Sequence, residues 1–214
     1  MGESAYLHRH FDMSVVASDN FNRANADPIG GSWVTGSGEG AFKIVSNAAT
    51  NSGAGDCSAY YNTTFPNDQY SQAKFSGSTT SADSGAGQGL VTRQSASART
   101  HYRVVFNNRG PDEAELAKFV AGTYTQLWSR TITYSTGTVG RIESQGTTQR
   151  VFYNGAQVGA DATDSAISSG FAGVAYSSTD SGTTIDDWEG GDFTVAALPK
   201  PVIIRQAVQR AAVI

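Results

Sequence analysis

Cysteine, charge and long apolar runs are all scarce in this 214-residue chain, and each scarcity excludes something. A single cysteine, Cys57, cannot form an internal disulfide and rules out zinc sites built on cysteine thiolates. Stability therefore has to come from a hydrophobic core, and Cys57, in a Gly/Ser-rich stretch, reads as a small neutral residue. Charged residues make up 16% of the chain, too few for the Glu-, Lys- and Leu-rich amphipathic helices of an α protein. With a net charge of −4 and no extended basic run, the electrostatic footprint of nucleic-acid binding is missing. No stretch approaches the ~18 apolar residues of a membrane span, and the opening MGESAYLHRHFDMSVV lacks the continuous apolar segment of a signal peptide. The expectation is synthesis in the cytoplasm without a classical export signal, for a place in a virion or at an extracellular surface.

What the chain does have is glycine, 24 residues of it, with abundant Ser and Thr, a makeup of strands and tight turns. The clearest local signal is the run from Thr148 to Val158. Gln149, Val151 and Tyr153 alternate with Arg150 and Phe152, the period of two that a pleated strand imposes. Asn154-Gly155 then suits a type I′ turn, which needs positive φ at both central residues, and Ala156, Gln157 and Val158 resume the strand. Further strands are expected over 42–45, 58–64, 70–76, 88–94, 102–107, 114–121, 124–129, 138–143, 171–176 and 184–188, nearly all separated by clusters of Gly, Asn, Asp or Ser. Short strands at hairpin spacing describe an all-β, two-sheet antiparallel β-sandwich with jelly-roll topology. The expected division is an N-terminal arm over 1–17, the sandwich over 18–197 and a C-terminal docking tail over 198–214. The tail follows the stiff Leu198-Pro199-Lys200-Pro201 and reads VIIRQAVQRAAVI, suited either to an amphipathic helix or to an added strand.

From Phe21 to Phe193 the order of motifs resembles the concanavalin A-like lectin/glucanase superfamily, in particular the laminin-G-like jelly-roll modules of phage structural and bacterial surface proteins. The matching pieces are DNFNR with GGSW, PNDQYSQAKFS, GLVTRQ with HYRVVF, AELAKFVAGTYTQLWS, VFYNGAQV with DATDSAISSGFAGVAY, and IDDWEGGDF. The resemblance implies the sandwich and places Trp33 and Trp188 in its core. It implies no single function, because the superfamily holds lectins, hydrolases, adhesion modules and inert structural domains.

Catalytic sets are missing. A retaining glucanase needs two carboxylates about 5 Å apart, as an E-x-D-x-x-E run supplies, and no such run is present. Glu113 and Glu115 share a strand face but read as a solvated strand start. There is no G-x-S-x-G elbow for a serine nucleophile, and His8 and His10 lack an evident third metal ligand. The protein is expected not to be an enzyme and to need no cofactor, calcium being the one ion left open through Asp19, Asp187 and Asp192. Asp161, Asp164 and Asp186 are further loop acids of this kind. A face carrying Tyr124, Gln126 and Trp128, with Leu127 turned to the core, would stack on a glycan or on a partner subunit. Tyr6, Leu7, Phe11, Val202, Ile203, Ile204, Val208 and Ile214 are the expected assembly contacts. The leading expectation is a structural protein bound to other subunits, as a homo-oligomer or in a phage capsid or tail. The alternative is a glycan-binding adhesion module that recognises surface glycans.

Overall fold

The computed structural model describes residues 11–53, 55–77, 87–107, 111–177 and 182–195, which form sixteen strands and no helix. Numbered in chain order, nine strands make one sheet. Its path is β13 (Ala156–Gln157), β12 (Thr148–Tyr153), β11 (Thr138–Gln145), β6 (Gln69–Gly77), β16 (Thr183–Val195), β4 (Ala48–Asn51) and β3 (Phe42–Val45). β1 (Phe11–Asp19) also pairs with β16, and β14 (Ala162–Thr163) pairs with β12. The other sheet has seven strands, in the order β10 (Thr123–Thr131), β9 (Glu113–Val120), β8 (His101–Asn107), β7 (Gly87–Gln94), β15 (Phe171–Ser177), β5 (Cys57–Tyr61) and β2 (Trp33–Thr35). All named strand pairings are antiparallel, so the expected two-sheet sandwich is what the chain forms.

The inner faces follow the period of two. Gln149, Val151 and Tyr153 of β12 are buried while Arg150 and Phe152 are half-buried, and Asn154 and Gly155 turn the chain at φ 52° and 76°. Phe75, Leu90, Val104, Phe106, Ile142, Val174 and Ile185 meet between the sheets, each such side chain contributing about 1.5–3 kcal/mol of hydrophobic stabilisation. Trp33 and Trp188 are both buried there, their rings 4.7 Å apart.

β1 and β16 depart from the expectation. Phe11–Ala17, taken from the sequence as arm, belong to β1, which runs antiparallel to β16 with Phe11 opposite Val195 and Asp19 opposite Trp188. A register shift between Val15 and Ala17 breaks the alternation, and Met13, Val15 and Val16 are exposed, so the segment carries no clean strand signal. β16 extends well past Trp188 because it has two successive partners on one side, β4 before its own bulge and β1 after it. The remaining assembly residues, Tyr6, Leu7, Val202, Ile203, Ile204, Val208 and Ile214, lie outside the described residues.

Candidate binding site

β8 sends Tyr102, Val104 and Phe106 into the core, which leaves His101, Arg103, Val105 and Asn107 on the outer face of the seven-stranded sheet. An outer face is ordinarily wet, yet every residue of β8 is buried, with His101 at 0% and Arg103 at 4% exposure. Two groups able to carry charge, buried on an outer face, require partners.

Three loops surround them, those after β2, before β5 and between β7 and β8. The chain after β2 packs close over β5, and a Cβ on Gly36 would come within 2.1 Å of Ser58 Oγ and Gln94 Nε2. That close passage delivers Glu39. The loop between β7 and β8 brings Arg99, whose Nε donates to Glu39 Oε1 at 2.6 Å and whose Nη2 donates to Asp56 Oδ2 at 2.5 Å. Arg103 Nη1 stands 3.2 Å from Asp56 Oδ1, so one carboxylate joins both guanidiniums. Both also lie over the Phe119 ring, Arg99 at 4.0 Å and Arg103 at 4.9 Å from its centroid, a cation–π arrangement.

Burial and charge divide these groups. Burial pushes the Glu39 carboxyl above its ordinary range, only partly offset by Arg99 and Arg103. Burial acts the same way on Asp56, but there Arg103 and the bond from Arg99 outweigh it and the carboxyl is held below its ordinary range. His101 is pushed down to about 3 by burial, with Arg103 and Arg99 adding to the effect, so its imidazole is neutral. It packs against Phe119 with ring centroids 5.0 Å apart, and its Nε2 is 3.7 Å from Glu39 Oε1.

Above this layer opens a cleft of about 320 Å3 lined by Asp56, Arg99, Arg103, Glu115, Phe119 and Tyr124. The β9–β10 hairpin places Tyr124 opposite Phe119, and its hydroxyl donates to Glu115 Oε1 at 2.9 Å. Tyr124 is 44% exposed, whereas Arg103 is buried, its Nη1 ion-paired with Asp56 and its Nε without a hydrogen-bond partner. The cleft thus combines an exposed aromatic face with guanidinium donors and carboxylate acceptors, a set matched to hydroxyl groups that both donate and accept. Its two carboxylates balance its two guanidiniums.

Of the face expected from the sequence, Tyr124 lines the cleft and Gln126 follows it on the same exposed side, opposite Ala117. Trp128 does not. A bulge between Gln126 and Trp128 sets Trp128 opposite Leu116, a core residue, and both Leu127 and Trp128 pack against the core. Its indole carbons lie under Gly159, and its N–H has no hydrogen-bond partner. Asp56, Arg99 and Phe119 carry no site signal in the sequence, and Glu115, which has the pattern of a solvated strand start, lines the cleft. The readable trace was the pair His101 and Arg103 at alternate positions of an otherwise apolar strand.

Of the acids expected for calcium, Asp19 and Asp187 line one surface cleft and Asp192 does not join them. Asp19 accepts from Arg23 Nη1 at 2.7 Å, Trp33 Nε1 at 2.8 Å and Phe21 N at 2.8 Å. Asp187 lines the same surface cleft as Asp19, while Asp192 sits opposite Gln69 with Oδ1 buried and unpartnered. Among the described residues no group of three or more His, Cys, Asp or Glu is placed to hold a metal ion. His8 and His10 lie outside the described residues.

No protein-family model matches the sequence, and no curated protein matches it. Solved structures do resemble it in shape. The carbohydrate-binding module CBM66 from Bacillus subtilis superposes with a TM-score of 0.61 at 14% identity, over 75% of this chain and 96% of that one. The exoplasmic/lumenal domain of VIP36, in a form bound to Ca2+ and Man3GlcNAc, gives 0.55 at 13% identity, over 78% of this chain and 86% of that one. A prokaryotic β-1,3-1,4-glucanase (lichenase) derived from a mouse hindgut metagenome gives 0.55 at 9% identity, over 82% and 98%. Binding modules and an enzyme share the architecture, so likeness at these identities establishes shape and leaves chemistry to the residues. The two antiparallel sheets, their order and these superpositions together show that this chain has a lectin-like jelly-roll sandwich fold.

Proposed function

We propose that the protein is a glycan-binding module that takes a neutral saccharide in the cleft on the outer face of the seven-stranded sheet. The observation that carries this reading is the lining of the cleft, where the exposed Tyr124 ring stands with the partly exposed Arg99 guanidinium and Asp56 carboxylate. An aromatic face beside guanidinium donors and carboxylate acceptors suits a saccharide, whose ring stacks and whose hydroxyls both donate and accept. The structural likeness to CBM66 and VIP36 supports the same reading. This reverses the order of the two expectations from the sequence, since glycan binding was the alternative to a virion assembly role.

The cleft reads as a binder and not as a glycosidase. Asp56 is engaged by two arginines and Glu115 by Tyr124, which leaves no free pair of carboxylates to serve as acid and nucleophile. The same engagement makes calcium unnecessary at this cleft. A glycan array followed by calorimetry tests the proposal, with binding to a neutral oligosaccharide expected to survive EDTA. No binding at millimolar sugar, with or without calcium, would sink it.

A role in assembly keeps one supporting observation. Among the described residues β1 pairs only with β16, and Met13, Val15 and Val16 are exposed along it. An apolar strand with one open edge suits antiparallel pairing with a second copy of itself. Sedimentation velocity would detect such a dimer and its loss in Val15→Lys, and a monomer at high concentration in both proteins would remove this reading.

A further inference from the structure

A second buried arginine is aimed elsewhere by a defect in the sheet. β7 and β15 shift register between Phe171, opposite Gln94, and Gly173, opposite Val91. Thr92 and Arg93 therefore face the single residue Ala172, which is a β-bulge. Arg93 takes φ 53°, a conformation that bulky L residues rarely adopt. Gly170 makes room for it, because a Cβ there would fall 2.4 Å from the Arg93 carbonyl carbon. The bulge separates three side chains that alternation would have placed on two faces. Thr92 bonds Ser144 across the interior, Gln94 bonds Ser58 on the outer face, and Arg93 is turned to the end of the sandwich.

The Arg93 side chain is only 2% exposed. Its Nε donates to Asn67 O at 2.9 Å and its Nη1 to Ile167 O at 2.8 Å, so both bonds go to neutral carbonyls. The nearest carboxylate oxygen, Asp68 Oδ1, is 3.7 Å from Nη2, beyond hydrogen-bonding distance, and is already the acceptor of Gly146 N at 2.7 Å. A buried cation is thus held in place with its charge incompletely met, although guanidinium is the side chain best suited to pair with a carboxylate. In front of it lies a cleft of about 370 Å3 whose walls include Thr147, Ser165 and Ser168. Backbone strain of this kind concentrates where a side chain has been re-aimed for use.

We propose that this cleft is a second ligand site, for the carboxylate of an acidic sugar such as a uronic acid. Arg93 Nη2 donates to the carboxylate, and the hydroxyls of Thr147, Ser165 and Ser168 face the sugar hydroxyls. The site shares no lining residue with the neutral-saccharide cleft and stands or falls independently of it.

The test is an amide NMR titration of the full chain with sodium glucuronate, with glucose and sodium acetate as the bare sugar and the bare carboxylate. Glucuronate should produce saturable shifts at Gly146, Thr147, Ser165 and Ser168, bind more tightly than acetate, and weaken as salt is raised. Glucose should leave these amides unmoved. Asp68 is 48% exposed, so Asp68→Asn should fold, and loss of the competing carboxylate should tighten glucuronate binding about threefold or more. Tyr124→Ala, which disables the other cleft, should change nothing here. The proposal is overturned if neither the parent nor Asp68→Asn gives saturable shifts, if glucose or acetate binds as well as glucuronate, or if Asp68→Asn binds glucuronate more weakly.

Discussion

Arg103 and Arg93 are both arginines buried almost completely, yet the protein treats their charges in opposite ways. Arg103 lies over an aromatic ring and shares a carboxylate with Arg99, so the cleft it serves is electrically balanced. Arg93 is bonded to two backbone carbonyls and meets its nearest carboxylate only at 3.7 Å. Burial alone therefore says little about what an arginine is for, and the groups around it decide. A compensated pair suits a neutral ligand with hydroxyls, whereas an under-compensated cation suits an anion.

The largest effect that would sharpen this contrast is an acid sensitivity confined to the Arg103 side. His101 has an ordinary value of 6.5 and is depressed to about 3 in the folded protein, chiefly by burial. The neutral imidazole therefore stabilises the fold above pH 6.5, and that stability is lost as pH falls toward 3, by roughly 4–5 kcal/mol over the whole range. Asp56 and Asp164, held below their ordinary 3.8, add further losses as pH falls below 3.8. Glu39 and Glu143 are raised above 4.5 and act in the opposite sense, their contribution being present at low pH and lost as pH rises through their folded values. Thermal melts of the parent and of His101→Phe between pH 7 and 4 isolate the histidine, and the variant should have the flatter profile. Equal profiles would mean that His101 already shares a proton in the native state.

Next in size, Arg93→Ala should destabilise the protein by about 3 kcal/mol, because it removes two hydrogen bonds from a charged donor and leaves the carbonyls of Asn67 and Ile167 without them. A urea midpoint unchanged from the parent would show that the bulge is held without its side chain. Trp128→Ala should cost about 2 kcal/mol, since the ring is half-buried against the core, while saccharide affinity stays the same. Loss of binding in that variant would return Trp128 to the face first assigned to it. The smallest change in free energy belongs to Tyr124→Ala, which should weaken saccharide binding about tenfold, or about 1.4 kcal/mol, with a stability change within about 0.5 kcal/mol. Unaltered affinity by calorimetry would move the neutral-sugar site off this cleft.

The sandwich was legible wherever alternation and turn chemistry agreed. Thr148–Tyr153 was read to the residue, and Asn154-Gly155 has the positive φ values its turn requires. Alternation breaks at the bulges. Val15/Ala17 concealed β1, Gln126/Trp128 turned Trp128 from the outer face to the core side, and Phe171/Gly173 removed Arg93 from the alternation of its neighbours. One additional residue in a strand reverses the facing of every side chain beyond it, and local sequence does not mark where that happens.

By itself the sequence determined the class of structure: strands from the period of two, hairpins from residues that accept positive φ, and a core built without disulfides. It also placed Tyr124 outward. Only the tertiary structure decided which charges would meet, bringing Glu39, Asp56, Arg99 and Arg103 from separate loops and strands into one cluster, and setting Arg93 among carbonyls with its carboxylate out of reach. The reason is physical. Strand periodicity is a local property fixed by backbone geometry, whereas the electrostatics of a buried group depend on partners far away in sequence that only the folded sandwich brings near.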